Sequence, residues 1–226
     1  METKKKTKIH NIIILDKSGS MGSIARQAID GVNETIACIK MAQEKNPEQD
    51  NDLSLVAFCG CEMRVIYRMV PILKVEPMTK RDYRPCCMTP LYDAIGYTIT
   101  EAHRIMQSEE NVMASVTIIT DGYENASREY SHSAISSLIE AYKSEGWLFA
   151  YIGADHDVEK VARSLNIDND LRFEKTSAGT KRMFTKYNVS RERYLESVMP
   201  CMSSKELSQE DKERILKENA KGFFKD

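Results

Sequence analysis

Five oxygen-bearing side chains stand at positions that suit the chemistry of a hard cation. Asp16, Ser18 and Ser20 alternate through the segment 16–20, Thr89 precedes Pro90-Leu91-Tyr92-Asp93, and Asp121 follows Thr117-Ile118-Ile119-Thr120. Together they offer two carboxylates and three hydroxyls, with no thiolate or imidazole among them. Hard oxygen donors favour Mg²⁺, Mn²⁺ or Ca²⁺ over zinc. Each also has a plainer role. Ser20 or Ser23 could cap the helix that follows, Thr89 could cap the helix opened by Pro90, and Asp121 could be a turn residue before Gly122.

The elements that must position these residues are legible in the apolar pattern. Ile12-Ile13-Ile14-Leu15 is a short β-branched run that reads as a strand buried on both faces. Ile24, Ala28, Val32, Ile36 and Ile39 recur at helical spacing up to Asn46-Pro47. The segments 52–59 and 63–70 read as strands paired in a hairpin through Gly60, and 71–88 as a loop. A helix begins at Pro90 with Leu91, Ile95, Ile99, Ala102 and Met106 on one face. Strands over 112–120, 147–153 and around 171–173 alternate with helices around 135–142 and over 157–165. This alternation predicts an α/β Rossmann-like three-layer sandwich, with a mostly parallel central sheet, one antiparallel edge strand and helices on both faces. In such a sheet, ligands sit at the carboxyl ends of the strands. The three polar segments follow strands or open a helix, so they are predicted to meet there.

Those three segments resemble the von Willebrand factor type A domain. Its metal-ion-dependent adhesion site is built from an Asp-x-Ser-x-Ser loop, a later Thr, and an Asp after a buried strand. All five positions are filled in order, and the Asp-x-Ser-Gly-Ser-Met form is similar to the intracellular bacterial branch. The resemblance runs over about 8–173. It implies a domain over 8–175 and leaves a helical extension over 176–226, packed on it or partly mobile. It further implies that Ser18 and Ser20 ligate Mg²⁺ directly, with Mn²⁺ or Ca²⁺ as alternatives. Thr89 would ligate directly or through water, and Asp16 and Asp121 mostly through water. Mg²⁺ takes about six oxygens, so the shell stays open to a carboxylate from a partner protein's Asp or Glu. The function expected is a metal-dependent protein-binding module rather than an enzyme. The alternative is a Mg²⁺-dependent hydrolase or phosphotransfer enzyme using the same ion as Lewis acid. Lys17, inside the loop, is read as facing solvent. Cys86-Cys87-Met88 stands where the family often has glycine.

Composition bounds the rest. In 226 residues, 32 basic side chains against 34 acidic leave a net charge of −2, which argues against a broadly cationic nucleic-acid binder. No apolar run approaches the ~18 residues of a membrane span, and Ile12–Leu15, after the basic start 1–8, is too short for a signal sequence. Six cysteines at 38, 59, 61, 86, 87 and 201 read as reduced thiols of a cytoplasmic protein. A zinc site at Cys59-x-Cys61 with Cys86-Cys87 is the weaker reading, because the C-x2-C spacing is missing. His10, His103, His132 and His156 are scattered and read as structural. Asp155 and Asp157 flank His156 near the same sheet end, with helix capping as the simpler account. No P-loop, dinucleotide fingerprint, H-E-x-x-H or nucleophile elbow is present. In the last fifty residues, a helix is expected over 191–199 and a second one capped by Ser208. Phe223-Phe224 either packs back on the body or a partner, or belongs to a frayed tail.

Overall fold

A computed structural model describes residues 6–225; the basic stretch 1–5 and Asp226 lie outside the described residues. The chain runs β1 (Thr7–Asp16), α1 (Ala25–Lys45), β2 (Gln49–Cys59), β3 (Glu62–Pro71), α2 (Leu91–Met106), β4 (Val112–Thr120), α3 (His132–Ser144), β5 (Leu148–Gly153), α4 (Val158–Ser164), β6 (Asn169–Arg172), α5 (Ser177–Met202) and α6 (Gln209–Ala220). A 3-10 turn over Gly19–Ile24 joins β1 to α1. The six strands lie in the order β3-β2-β1-β4-β5-β6. Among the described residues only the β2–β3 pair is antiparallel. This is the sandwich expected from the alternation of strand and helix patterns.

Two apolar layers hold the helices to the sheet. Along β1 the side chains alternate: Ile9, Ile13 and Leu15 pack with α1 and α5, while Ile12 and Ile14 pack with α2, α3 and α4. A strand buried on both faces has no polar side, which is why its sequence is a continuous apolar run. From β1 the chain steps outward to β2 and β3, then returns to the other side of β1 for β4. The crevice between β1 and β4 is therefore the point where strand order reverses, and both Asp16 and Thr120 end there.

The C-terminal part is more ordered by packing than its sequence suggests. One helix of 26 residues, α5, replaces the shorter helix expected over 191–199. Thr176 caps it, its hydroxyl accepting from the Gly179 N–H at 3.0 Å. Gly179 is required because a Cβ there would lie 2.2 Å from the Glu174 carbonyl oxygen. Met183, Phe184, Tyr187, Tyr194, Leu195 and Val198 form its buried stripe. Arg191 lies in that stripe, 3% exposed, with its Nε donating to Asn11 Oδ1 on β1 at 3.0 Å. Ser208 caps α6, and Phe223 and Phe224 are buried, Phe223 packing against Tyr187 and Tyr194. Among the described residues, no helix is long and apolar enough to cross a membrane.

Candidate metal centre

The loop after β1 is shaped by Asp16. Its carboxylate is fully buried. One oxygen accepts from the Ser18 N–H at 2.6 Å and the other from the Thr120 hydroxyl at 2.7 Å. Asp16 thus folds its own loop back and straps it to the end of β4. Burial pushes its pKa up to about 6, against hydrogen bonds from Thr120 and Ser18 that pull it down. Tyr83 donates its hydroxyl to the Asp16 carbonyl at 2.6 Å, fixing the loop from the 71–88 segment.

Within this frame the hydroxyls and the second carboxylate meet. Ser18 Oγ and Ser20 Oγ are 3.1 Å apart, and Ser20 Oγ donates to Asp121 Oδ1 at 2.6 Å. Neither serine is spent on capping. Ser18 makes no side-chain cap to the 3-10 turn, and the residue before α1 is Ile24. Thr89 is buried and does not cap α2 either, whose flanking residue is Pro90. Asn125 holds Thr89 in place, accepting from the Thr89 N–H at 2.8 Å and donating its own N–H to the Thr89 carbonyl at 3.1 Å. Glu124 ties the start of α2 to the same loop, accepting from the Tyr92 N–H at 2.9 Å. Gly122 lies beside Thr89: a Cβ there would make ordinary contact with Thr89 Oγ1, at 3.9 Å. Asp16, Ser18, Ser20, Thr89 and Asp121 are therefore gathered at one end of the sheet.

A cation already faces this cluster. Lys175, three residues past β6, places its Nζ 2.6 Å from Asp121 Oδ2 and 3.4 Å from Asp155 Oδ2. Burial alone would pull the Lys175 ammonium below its usual pKa, but Asp121 and Asp155 outweigh it and hold it above. The ammonium is a stand-in ion on one carboxylate of the cluster, Asp121, and the hard oxygen donors of the cluster fit a divalent cation. Lys175 and Asn125 have no spacing signal in the sequence. They belong to the site only through the fold.

Two readings of the loop surroundings are corrected. Lys17 does not face solvent: it is 2% exposed, and its ammonium pairs with Glu62 on β3. Its N–H donates to the Phe58 carbonyl and its carbonyl accepts from the Cys86 N–H, so the backbone fixes it beside the hairpin, where Glu62 neutralises it. Nor are all six cysteines free thiols, because Cys61 and Cys87 are joined by a disulfide. Spacing alone could not show that contact, since it depends on how the 86–88 segment docks on the hairpin turn.

The neighbouring polar groups are mostly accounted for by structure. Both ring nitrogens of His156 are engaged, by the Tyr151 hydroxyl at 3.1 Å and the Ala154 carbonyl at 2.5 Å. Asp157 caps α4. His10 sits toward the opposite end of β1, with Nδ1 2.7 Å from Asp52 and Nε2 2.5 Å from Glu109.

No protein-family model matches the chain, and no curated protein does. Solved structures share its fold at low identity. A mutant of the PilB minor pilin from Streptococcus sanguinis superposes with a TM-score of 0.59 at 13% identity, over 86% of this chain and 64% of that one. The pilus adhesin SpaC from Lactobacillus rhamnosus GG gives 0.59 at 12%, over 84% of this chain and 31% of the adhesin. The vWF domain of the type V pili tip protein Mfa5 from Porphyromonas gingivalis gives 0.54 at 11%, over 81% and 96%. This chain thus spans less than two thirds of PilB and about a third of SpaC. The sandwich is of the von Willebrand factor A-like type, and the likeness is one of fold.

Proposed function

We propose that this protein is a metal-dependent protein-binding module. Ser18, Ser20 and Thr89 would hold Mg²⁺ or Mn²⁺ with their hydroxyls, and Asp16 and Asp121 would supply the negative charge around it. The observation that carries the reading is the linked chain Ser18–Ser20–Asp121 with the Lys175 ammonium on its free carboxylate oxygen. Evolution has little reason to bury two carboxylates against three hydroxyls unless a cation compensates them, and an ammonium bound on one side leaves the hydroxyl side without one. A bound ion held largely by neutral hydroxyls keeps its electrophilicity and supplies a seat for a partner's carboxylate. The partner is accordingly a protein presenting Asp or Glu. The adhesins and pilins that share the fold support a binding role rather than an enzymatic one. A cytoplasmic setting belongs to the same proposal and requires that the Cys61–Cys87 bond be opened there, leaving all six cysteines as thiols.

The test has two stages. Mg²⁺ or Mn²⁺ is titrated into the wild type and a Ser18→Ala/Ser20→Ala variant while thermal unfolding is followed. A ligand at 100 times its Kd adds about 2.7 kcal/mol to the native state, so the wild-type midpoint rises and the variant's does not. Peptides carrying a single Glu are then compared with their Gln counterparts by fluorescence anisotropy, with and without EDTA. Binding that needs both the metal and the carboxylate supports the proposal. An equal thermal response in both proteins, or peptide binding indifferent to EDTA, removes it.

A further inference from the structure

A second cluster of donors stands beside the oxygen site, and all of its atoms are sulfur. Cys59 is the last residue of β2, Cys61 lies in the turn to β3, and Cys86 and Cys87 lie on the segment that leads to Thr89. The backbone alone brings these segments together. Gly60 N–H donates to the Met88 carbonyl at 2.7 Å, Cys86 N–H to the Lys17 carbonyl at 2.8 Å, and Gly19 N–H to the Cys87 carbonyl at 3.1 Å. Gly60 permits the approach, since a Cβ there would lie 3.2 Å from the Met88 nitrogen. The sulfur positions follow from this clamp. Cys59 Sγ and Cys86 Sγ are 2.9 Å apart without a bond between them. Cys59, Cys61 and Cys86 each offer a sulfur within 4.8 Å of the other two. Cys87 lies outside that group of three, but its bond to Cys61 brings its sulfur to the edge of the cluster.

One further observation sets this cluster apart from a chance gathering of thiols. Cys87 has φ 57°, in the left-handed region. A non-glycine side chain there costs on the order of 1 kcal/mol, which glycine would avoid. The position therefore keeps a thiol at a price in backbone strain. Lys17 is buried behind the same clamp with its ammonium paired to Glu62, and the Cys86 thiol is held above its usual range by its hydrogen bond to Cys59 and by burial.

Tetrahedral zinc holds thiolates about 2.3 Å from the ion, which places the sulfurs roughly 3.8 Å from one another. For Cys59, Cys61 and Cys86 the 2.9 Å separation and the 4.8 Å bound stand on either side of that value. We infer that Cys59, Cys61, Cys86 and Cys87, in their reduced state, form a tetrathiolate site for Zn²⁺. The Cys61–Cys87 bond must first accept two electrons and two protons from a dithiol reductant, which is oxidised to its own disulfide. The four thiols then bind Zn²⁺ and release four protons, leaving a complex of charge −2 beside the Lys17–Glu62 pair. Soft sulfur selects zinc and hard oxygen selects magnesium, so the two neighbouring sites would not compete for one ion. Ligation ties the 86–88 segment to the β2–β3 turn, two residues from Thr89.

The probe is cobalt alone, titrated anaerobically into the full chain after reduction by a dithiol and removal of the reductant. The expected result is a thiolate-to-cobalt charge-transfer band with tetrahedral ligand-field bands, saturating at a single equivalent and abolished by added Zn²⁺. Cys59→Ser and Cys86→Ser lose this spectrum, whereas Cys38→Ser, on α1, keeps it. Ser18→Ala also keeps it, which separates the sulfur site from the oxygen site. If a cysteine variant does not fold, alkylation of the wild type decides: Zn²⁺ protects these four cysteines, and leaves Cys38 and Cys201 reactive. A folded, reduced wild type without thiolate–cobalt absorption overturns the inference. So does equal alkylation with and without Zn²⁺, or a Cys61–Cys87 bond that the dithiol does not open.

Discussion

Replacing Lys175 by glutamine removes the ammonium that faces Asp121 and keeps a side chain of similar length. The Nζ–Oδ2 separation is 2.6 Å, and the Asp121 side chain is fully buried while that of Lys175 is 18% exposed. A hydrogen bond to a charged group contributes about 1.5–3 kcal/mol, and a buried pair broken on one side costs about 3–5. The partial exposure of Lys175 sets the expected loss near the lower range, about 2 kcal/mol in metal-free protein. The same contact opposes divalent binding, because the ammonium must leave Asp121 or stand against a second positive charge. With about 1.4 kcal/mol per tenfold in affinity, full release of that opposition tightens Mg²⁺ binding by up to roughly 30-fold. Lys175→Gln therefore shifts two observables in opposite directions: a lower unfolding midpoint in EDTA, and a smaller Kd for Mg²⁺ by isothermal titration calorimetry. A variant that binds Mg²⁺ as the wild type does, or more weakly, refutes the idea that the lysine and the metal share one seat.

Three other outcomes follow from the structure. Both nitrogens of His10 face carboxylates, so the ring is held as the imidazolium; burial would lower its pKa, but Asp52 and Glu109 outweigh it and raise it. A raised histidine stabilises the fold fully below its unfolded value of about 6.5, and that stability is lost as pH climbs through the folded-state value. Urea unfolding at several pH values should thus show a decline on the alkaline side that His10→Gln abolishes, along with about 3–5 kcal/mol lost near neutral pH, where Asp52 is left ionised without its partner. Gly31→Ala in α1 would gain up to about 1 kcal/mol on an open helix surface. Here its Cβ would meet Phe184 Cδ2 at 2.0 Å, so denaturant unfolding should show a net loss of about 1–3 kcal/mol, and a gain would disprove the α1–α5 packing. Asp93→Ala frees the N–H groups of Arg128, Glu129 and Tyr130, which its carboxylate now accepts from at 2.9–3.0 Å. Hydrogen exchange at those amides should accelerate, with about 1–3 kcal/mol of stability lost.

Much of this arrangement is readable from local pattern because the determinants are themselves local. β4 is bounded in the sequence as it is in the structure, since an apolar run ends at Asp121-Gly122. The convergence of the Asp16 loop, Thr89 and Asp121 follows from strand order, which the alternation of periods constrains. What escapes is whatever depends on a partner far along the chain. Arg191 interrupts the apolar stripe of α5, and its acceptor, Asn11, is 180 residues away, so the helix reads shorter than it is. Lys17 reads as exposed because Glu62, which compensates its charge, is met only after the hairpin has formed. Lys175 belongs to no motif, and the Cys61–Cys87 contact exists only once the 86–88 segment lies across the turn.

Lys175 is held on a very short leash. Phe173 is anchored to β5 by its N–H on the Gly153 carbonyl at 2.9 Å, and Thr176 is pinned as the cap of α5. Two residues bridge those anchors, and one of them carries the ammonium. Chain length in this stretch is therefore a ruler: adding or deleting a residue would swing the charge off Asp121 or drag the whole of α5 out of register with the sheet. Homologous proteins that keep the lysine should vary freely in the loop after α5 yet never in the count between β6 and α5.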